Sequence, residues 1–155
     1  MQSIHISGQL DALVMGVRRG QLKRLSSDFY RFGSRSVTLW LTSGDGFRLT
    51  SQMHDLANRT EAGILCIEQL VQADPKETSV DLPWQFKKGG SASKLIVRES
   101  GWQLESGLLF ESPDGDEVSI LPAAFPSYLC VQGIETPPQE VTSEYPLARY
   151  TRLLL

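Results

Sequence analysis

Alternating apolar and polar residues over positions 94–121 form the clearest pattern in the chain. Within residues 102–111 most apolar side chains recur at every second position, a period typical of a strand with one buried face. The following Ser112-Pro113-Asp114-Gly115-Asp116 combines proline with Asp-Gly, as in a tight turn. The pattern therefore predicts an antiparallel meander with strands near 94–98, 102–111 and 116–121. Gly107, inside the central strand, indicates a β-bulge or a close approach of another backbone.

A second hairpin is predicted at 36–42 and 46–50, which flank Ser43-Gly44-Asp45. Further segments have the length and apolar content of strands, and 62–71, apolar on both faces, reads as a central one. Pro83 confines its own strand to a sheet edge or interrupts it. The segment 147–155 is either a last strand or a tail that packs on a partner. The remaining predicted strands are 3–7, 78–86 and 127–133.

Three segments have weaker patterns. Residues 10–17 are apolar on both faces, and Gly16 favours a central strand over a short buried helix. Residues 21–32 are predicted to form an amphipathic helix, because their leucines and phenylalanines recur at helical spacing. Residues 51–61 are polar, which predicts an irregular loop with at most one helical turn.

Short strands that alternate with turn signals predict a mainly β fold, an antiparallel sandwich or a partly open barrel. At most one or two short helices are expected, and an α+β fold is the alternative. With 155 residues, the chain is interpreted as a single domain over 1–155. The glycine-containing stretch 87–93 is read as an internal loop.

The formal net charge is −3, which gives no overall basic surface for nucleic acid or an anionic membrane. No apolar run approaches the ~20 residues of a membrane helix, and residues 1–13 lack the basic and apolar regions of a signal peptide. Cys66 and Cys130 lie in apolar stretches and are interpreted as buried free thiols. A cytoplasmic protein is therefore expected.

The best catalytic-looking cluster is His54 and Asp55 with Glu61, because a histidine beside acids can act as a general base. The cluster lacks a nucleophile and an orienting group, so ordinary loop residues are the favoured interpretation. The histidines and cysteines are scattered, and no metal-binding or phosphate-binding motif occurs. No metal or cofactor is therefore expected.

Charged residues offer two candidate binding surfaces. Glu99, Glu105, Glu111 and Glu117 recur at six-residue steps, so some of them are expected to share one sheet face, either as an acidic patch or, as the favoured interpretation, as an ordinary solvated face. Basic residues concentrate near the beginning of the chain, with aromatic residues among them, and there Arg24 and Arg31 are the binding candidates. A solvated face is the favoured interpretation, ahead of protein contact and of nucleic acid. The basic set is Arg18, Arg19, Lys23, Arg24, Arg31 and Arg35.

These features favour a non-enzymatic protein that grips a protein partner with a sheet face or edge, for example an accessory protein of the immunity or inhibitor type. The alternative is a small-molecule or carbohydrate-binding barrel with weak hydrolytic activity around His54 and Glu61. In that alternative Trp40, Trp84 and Trp102 line a pocket. A third class is a homo-oligomer whose segment 147–155 docks on a neighbouring copy.

Overall fold

The structure is a computed structural model that describes residues 1–20, 22–28, 30–56, 60–71, 80–82, 90–133, 136 and 138–155. Twelve strands and one α-helix occur in this part of the chain. The early strands and the helix are β1 (Gln2–Ile4), β2 (Ser7–Gly8), α1 (Leu10–Arg19), β3 (Leu22–Ser27), β4 (Ser36–Leu41), β5 (Gly46–Asp55) and β6 (Glu61–Leu70). The later strands are β7 (Val80–Leu82), β8 (Ser91–Glu99), β9 (Trp102–Glu111), β10 (Glu117–Pro122), β11 (Leu129–Gly133) and β12 (Thr151–Leu154). Two 3₁₀ turns complete the set, at Tyr30–Phe32 and Leu147–Arg149.

The strands form two mainly antiparallel sheets, which confirms the predicted mainly β fold. The first sheet has the order β11-β10-β9-β8-β12, with β1 beside β9, and we call it sheet A. The second, sheet B, has the order β2-β6-β5-β4-β3-β7. The arrangement is consistent with a sandwich, and neither sheet closes into a barrel.

Apolar side chains of both sheets and of α1 meet in one large buried cluster. Phe47 of sheet B and Phe110 of sheet A are among its largest fully buried members. Because successive strand residues point to opposite faces, this cluster fixes which face of each sheet is the inner one. A smaller cluster around Leu104 closes one end of the molecule, and Leu95, Leu109 and Leu121 form a third cluster.

The predicted meander is confirmed as β8, β9 and β10, and the predicted hairpin at 36–50 as β4 and β5. The central strand predicted at 62–71 is β6, which lies between β2 and β5. The strand predicted at 3–7 divides into β1 and β2, which join different sheets. The last segment does form a strand, β12, and of the strand predicted at 78–86 only β7 falls within the described residues.

Two predictions near the beginning of the chain are wrong. Residues 10–17 form a helix because Leu13, Val14 and Val17 share one buried stripe at helical spacing. Within 21–32, the described residues form β3 and the 3₁₀ turn Tyr30–Phe32 instead of a helix, since pairing with β4 and β7 outweighs the helical spacing.

The loop predicted at 51–61 is wrong for residues 51–55 and 61, because β5 runs on to Asp55 and β6 begins at Glu61, while residues 57–59 lie outside the described part of the chain. Their pairing is continuous from Gly46 with Leu70 to Asp55 with Glu61. Residues 51–55 of β5 are mostly polar and none of them is buried, so no apolar period in the sequence indicated a strand there.

Both features predicted for the strand around Gly107 are present, a β-bulge and a close approach of another backbone. Leu95 pairs with Gly107 and Ile96 with Glu105, so Ser106 is the extra residue of a β-bulge. A Cβ added at Gly107 would also lie 2.5 Å from the carbonyl oxygen of Ile120, so the neighbouring backbone leaves no room for a side chain.

Candidate protein-interaction surface

The catalytic candidates lie at the open end of the β5–β6 hairpin. Asp55 pairs directly with Glu61, and His54 pairs with Ala62. Consecutive strand residues point to opposite faces, so the imidazole of His54 is directed away from both carboxylates. The Nε2 atom of His54 is buried and has no hydrogen-bond partner within the described residues. The geometry thus separates the proposed base from its acids, and a catalytic role for them stays a prediction.

The predicted acidic patch does not include all four glutamates, because Glu111 and Glu117 pair directly across β9 and β10 whereas Glu99 and Glu105 lie apart from them. Glu99 pairs with Trp102 at one end of β9, whereas Glu111 lies at the other end, about 30 Å away along an extended strand. Glu105 is only 4% exposed. Glu99 is ion-paired with Arg149.

The bulge explains why Glu105 is buried. Paired residues share a face, so Leu108 opposite Lys94 and Glu105 opposite Ile96 lie on the same side of sheet A. Simple alternation along β9 would have placed Glu105 on the side opposite to Leu108, so the expectation that it belongs to an exposed acidic face is wrong. The Nζ atom of Lys94 lies 2.9 Å and 2.7 Å from the two carboxylate oxygens of Glu105. His5 Nδ1 lies 2.7 Å from Oε1 of the same carboxylate, so Glu105 is a buried member of a polar network that includes Lys94 and His5.

The binding candidates Arg24 and Arg31 lie on different elements. Arg24 is exposed on β3, opposite Trp40. Arg31 lies in the 3₁₀ turn that follows β3. Trp102 is buried against Tyr145, and Trp84 lies outside the described residues, so the tryptophans expected to line a pocket are not seen to share one.

A β-bridge brings two distant turns to one surface. Ser34 and Leu129 exchange both backbone hydrogen bonds, N–H to O=C, at 2.9 and 2.6 Å. Ser34 follows the turn that contains Arg31 and Phe32, and Leu129 follows the turn at 124–128. The Ser34 hydroxyl also contacts that of Ser27 and accepts a hydrogen bond from Gln139 at 3.2 Å, so the junction is buried and satisfied.

Two arginines stack on aromatic rings at this junction. The guanidinium carbon of Arg31 lies 5.1 Å from the ring centroid of Phe32, and that of Arg35 lies 5.8 Å from the centroid of Tyr128. Nε of Arg35 also lies 3.3 Å from the Tyr128 hydroxyl oxygen, and this hydrogen bond raises the pKa of Arg35 above its ordinary value. Phe125 meets Tyr128 edge to face, with ring centroids 5.2 Å apart. We call these five residues the arginine–aromatic patch.

The patch exposes large apolar side chains to solvent. Phe32 is 64% exposed and Phe125 is 62% exposed, whereas Phe47 and Phe110 are buried. The turn that presents Phe125 contains Ser127 at φ +67°, a left-handed conformation that costs free energy in a non-glycine residue. Backbone bonds from Ala123 N–H to the Tyr128 carbonyl (2.8 Å) and from Tyr128 N–H to the Phe125 carbonyl (3.3 Å) hold this turn closed.

The patch itself carries two positive charges, and Asp28 is a carboxylate whose charge acts on Arg35. Residues 30–35 and 124–128 contain two arginines and no carboxylate. The nearest acidic partner of Arg31 is Glu140, at a long 3.4 Å, and both side chains are well exposed. Such an exposed pair is worth at most about 1 kcal/mol, so a partner's carboxylate can replace Glu140 at small cost.

A separate concavity of about 390 Å³ lies on the outer face of sheet A. Its floor contains the leucine cluster Leu95, Leu109 and Leu121. Arg152 and Glu117 form a bidentate ion pair at its rim, with distances of 2.8 and 3.1 Å. The hydrogen bonds from Arg152 hold the pKa of Glu117 below its ordinary value. We call this concavity the outer pocket.

The remaining chemistry is sparse in the part of the chain that the structure describes. No group of three or more histidine, cysteine, aspartate or glutamate residues there is arranged to hold a metal ion. Cys66 and Cys130 are free, and burial raises the pKa of the Cys130 thiol. None of the described helices has the length and apolar character needed to cross a membrane.

Sequence reasoning found Arg31 but missed most of the arginine–aromatic patch. Phe125 and Tyr128 are more than 90 residues from Arg31, and no local pattern relates the two turns. The sequence signal that could have identified this second turn is Phe125 beside Pro126, a large apolar residue next to a proline and outside any predicted strand. Comparison with known proteins adds no assignment, because no protein-family model, no curated protein and no solved structure matches this chain.

Proposed function

We propose that this protein binds a partner protein through the arginine–aromatic patch and has no catalytic role in doing so. The observation that carries the proposal is the pair of exposed phenylalanines, Phe32 and Phe125, beside two ring-stacked arginines. Aromatic residues and arginine are enriched at the centres of protein interfaces and carry much of their binding energy.

The stacked geometry supports this role because it reduces the entropy lost on binding. Arg35 is held by Tyr128 through both its ring face and its hydroxyl group. Tyr128 in turn packs against Phe125 and lies against Gly33, where an added Cβ would be 3.2 Å from the ring. Side chains that are already ordered lose less freedom when a partner arrives.

The partner that fits this surface presents carboxylates among apolar or aromatic side chains. Carboxylates match the guanidinium groups of Arg31 and Arg35. Apolar groups would cover Phe32 and Phe125. An accessory protein of the immunity or inhibitor type works by this kind of contact, and such a role is part of the proposal.

The test compares two double variants in a pull-down from native lysate at low salt. The patch variant is Phe32→Ser with Phe125→Ser, and the control variant is Val71→Ser with Leu147→Ser, which changes two apolar residues elsewhere that are 95% and 56% exposed. We expect one protein to be retained stoichiometrically by the wild type and by the control, and to be lost from the patch variant. Equal retention by all three would overturn the proposal. So would a partner that nuclease treatment removes, which would identify nucleic acid as the ligand.

Charge reversal gives a second readout. Arg31→Glu is expected to slow association with the captured partner several-fold and to weaken its dependence on salt, because rim charges act mainly on the association rate. Charge reversal at Glu99 or Glu111, which lie on other elements, is the matched control. If reversal at Glu99 or Glu111 slows association more than reversal at Arg31, the interface lies on sheet A instead.

The outer pocket supports a second candidate function, the binding of a small molecule. Its volume of about 390 Å³ and its leucine floor are in the range of small-ligand sites. A metabolite screen by thermal shift tests this, with Ser119→Phe as the variant that fills the pocket. A ligand that stabilises the wild type and the filled variant equally binds elsewhere.

A further inference from the structure

Strand β12 is an edge of sheet A that the described chain leaves uncovered. It pairs with β8 and with no other described strand, and all four of its residues are exposed. The opposite edge, β11, is protected, because Leu129 bonds to Ser34 and the Val131 N–H donates to Oε1 of Gln139 at 2.7 Å. Unprotected edges are templates for pairing with another strand.

The register of β12 shows which of its backbone groups point outward. Leu155 N–H donates to the Ala92 carbonyl oxygen at 3.0 Å, which continues the ladder between β12 and β8. Alternate residues of an antiparallel strand direct their N–H and C=O groups to opposite sides. Leu153 therefore points its backbone groups toward β8, whereas Arg152 and Leu154 point theirs to the free edge.

We propose that β12 pairs antiparallel with β12 of a second copy of this chain, about a two-fold axis at Leu153. In this register Arg152 of one copy lies opposite Leu154 of the other, and Leu153 lies opposite Leu153. The outward N–H and C=O groups of Arg152 and Leu154 then form four hydrogen bonds between the copies. The two six-stranded sheets A become one continuous sheet.

The side chains favour this register over its neighbours. Leu153 is 51% exposed and Leu154 is 70% exposed, so pairing covers apolar surface that a single copy leaves in water. Shifting the register by two residues in one direction would place Arg152 opposite Arg152, and like charges directly opposite each other are destabilising.

The proposed contact is small, so a reversible dimer is expected. Four strand residues per copy bury far less than the ~800 Å² per partner of a standard stable interface. We therefore expect monomer and dimer to exchange, with the dimer populated at high protein concentration. The proposal is independent of the arginine–aromatic patch, which lies on other elements.

Sedimentation equilibrium of the full chain over a wide concentration range tests the proposal. The average mass is expected to rise toward twice that of one chain. Leu154→Pro removes an outward N–H while the hydrogen bonds to β8 remain, and should shift the dimer equilibrium at least tenfold toward monomer. Leu154→Ala keeps the N–H and is the matched control, and circular dichroism verifies that each variant is folded.

A charge-pairing experiment tests the register itself. Leu154→Lys places a like charge opposite Arg152 of the other copy and should be monomeric, whereas Leu154→Glu places an opposite charge there and should dimerise more tightly than the wild type. Within one chain residue 154 pairs with Ser93, so neither change meets a charge on β8. A chain that is monomeric at every concentration overturns the proposal, as does a dimer indifferent to all of these changes. Neither of these two results would change the outcome of the pull-down test of the arginine–aromatic patch.

Discussion

The carboxylate of Glu144 and the backbone N–H of Gly63 connect the segment before β12 to strand β6 of the other sheet. The Gly63 nitrogen lies 3.2 Å and 3.0 Å from the two carboxylate oxygens. Burial raises the pKa of Glu144 from its ordinary value of 4.5 to about 7, although the Gly63 hydrogen bond acts in the opposite direction. Desolvation therefore dominates, and the carboxyl group retains its proton well into the neutral range.

The raised pKa of the Glu144 carboxyl group predicts that the folded state loses stability as the pH rises from 5 to 8. A carboxyl group whose folded pKa exceeds its unfolded pKa stabilises the fold below the unfolded value, and that contribution is lost as the pH passes the folded value. Glu144→Gln should flatten the dependence in this window and raise the melting temperature at pH 8 more than at pH 5. Tyr145, whose pKa burial raises to about 12, does not titrate there. Equal effects at both pH values would contradict the assignment.

The pair of Lys94 and Glu105 predicts a strong asymmetry between single and double variants. Lys94→Met leaves the carboxylate of Glu105, 5% exposed, without its ammonium partner, and should cost about 3–5 kcal/mol of unfolding free energy. The double variant with Glu105→Met leaves no buried charge and should be markedly more stable than Lys94→Met alone. Urea denaturation measures both. A double variant as unstable as the sum of its two single changes would mean that the two side chains do not interact.

The exposed ion pair of Arg152 and Glu117 should, by contrast, contribute little stability. The two side chains are 56% and 33% exposed, and pairs of this kind are worth at most about 1 kcal/mol. Glu117→Gln should therefore lower the melting temperature by no more than a few degrees, and 1 M salt should remove the difference. A large loss that persists in high salt would show that the pair supports β12 by packing.

Truncation to alanine should lower the unfolding free energy much more at a buried phenylalanine than at an exposed one. Phe110→Ala removes a fully buried ring from the main cluster and should cost about 3–5 kcal/mol. Phe125→Ala, at a 62% exposed position, should change the unfolding free energy by less than about 0.5 kcal/mol. Chemical denaturation of both variants measures the contrast, and similar losses would mean that Phe125 is not a free surface residue.

Strand periodicity predicted the parts of the fold in which sequence neighbours are also spatial neighbours. The hairpins β4–β5, β8–β9 and β9–β10 have short turns, so local patterns determine their pairing. The secondary structure of the segment 10–32 was predicted wrongly because it depends on packing and pairing with strands that lie far away in the sequence. Gly16, used as an argument against a helix, is where α1 lies against Leu41, and an added Cβ there would be 2.4 Å from Cδ1 of that side chain.

The candidate surface was harder to predict, for a related reason. Arg31 was identified from local charge, but its functional setting depends on the bridge between Ser34 and Leu129. Glu105 was assigned to the wrong environment because one extra residue, Ser106, reverses the alternation of β9. A bulge changes every face assignment beyond it, and a single glycine in the sequence does not state where the extra residue lies.

The division of residues 2–8 between the two sheets has a consequence for folding kinetics. Ile4 pairs in parallel with Leu104, and Ser7 with Cys66, so the beginning of the chain takes its native position only after strands made much later are in place. Contacts across such long sequence separations carry a large loop-closure entropy and slow the folding of β proteins. During synthesis on the ribosome, residues 2–8 must therefore wait for β6 and β9 to be made before they can take their places in the two sheets.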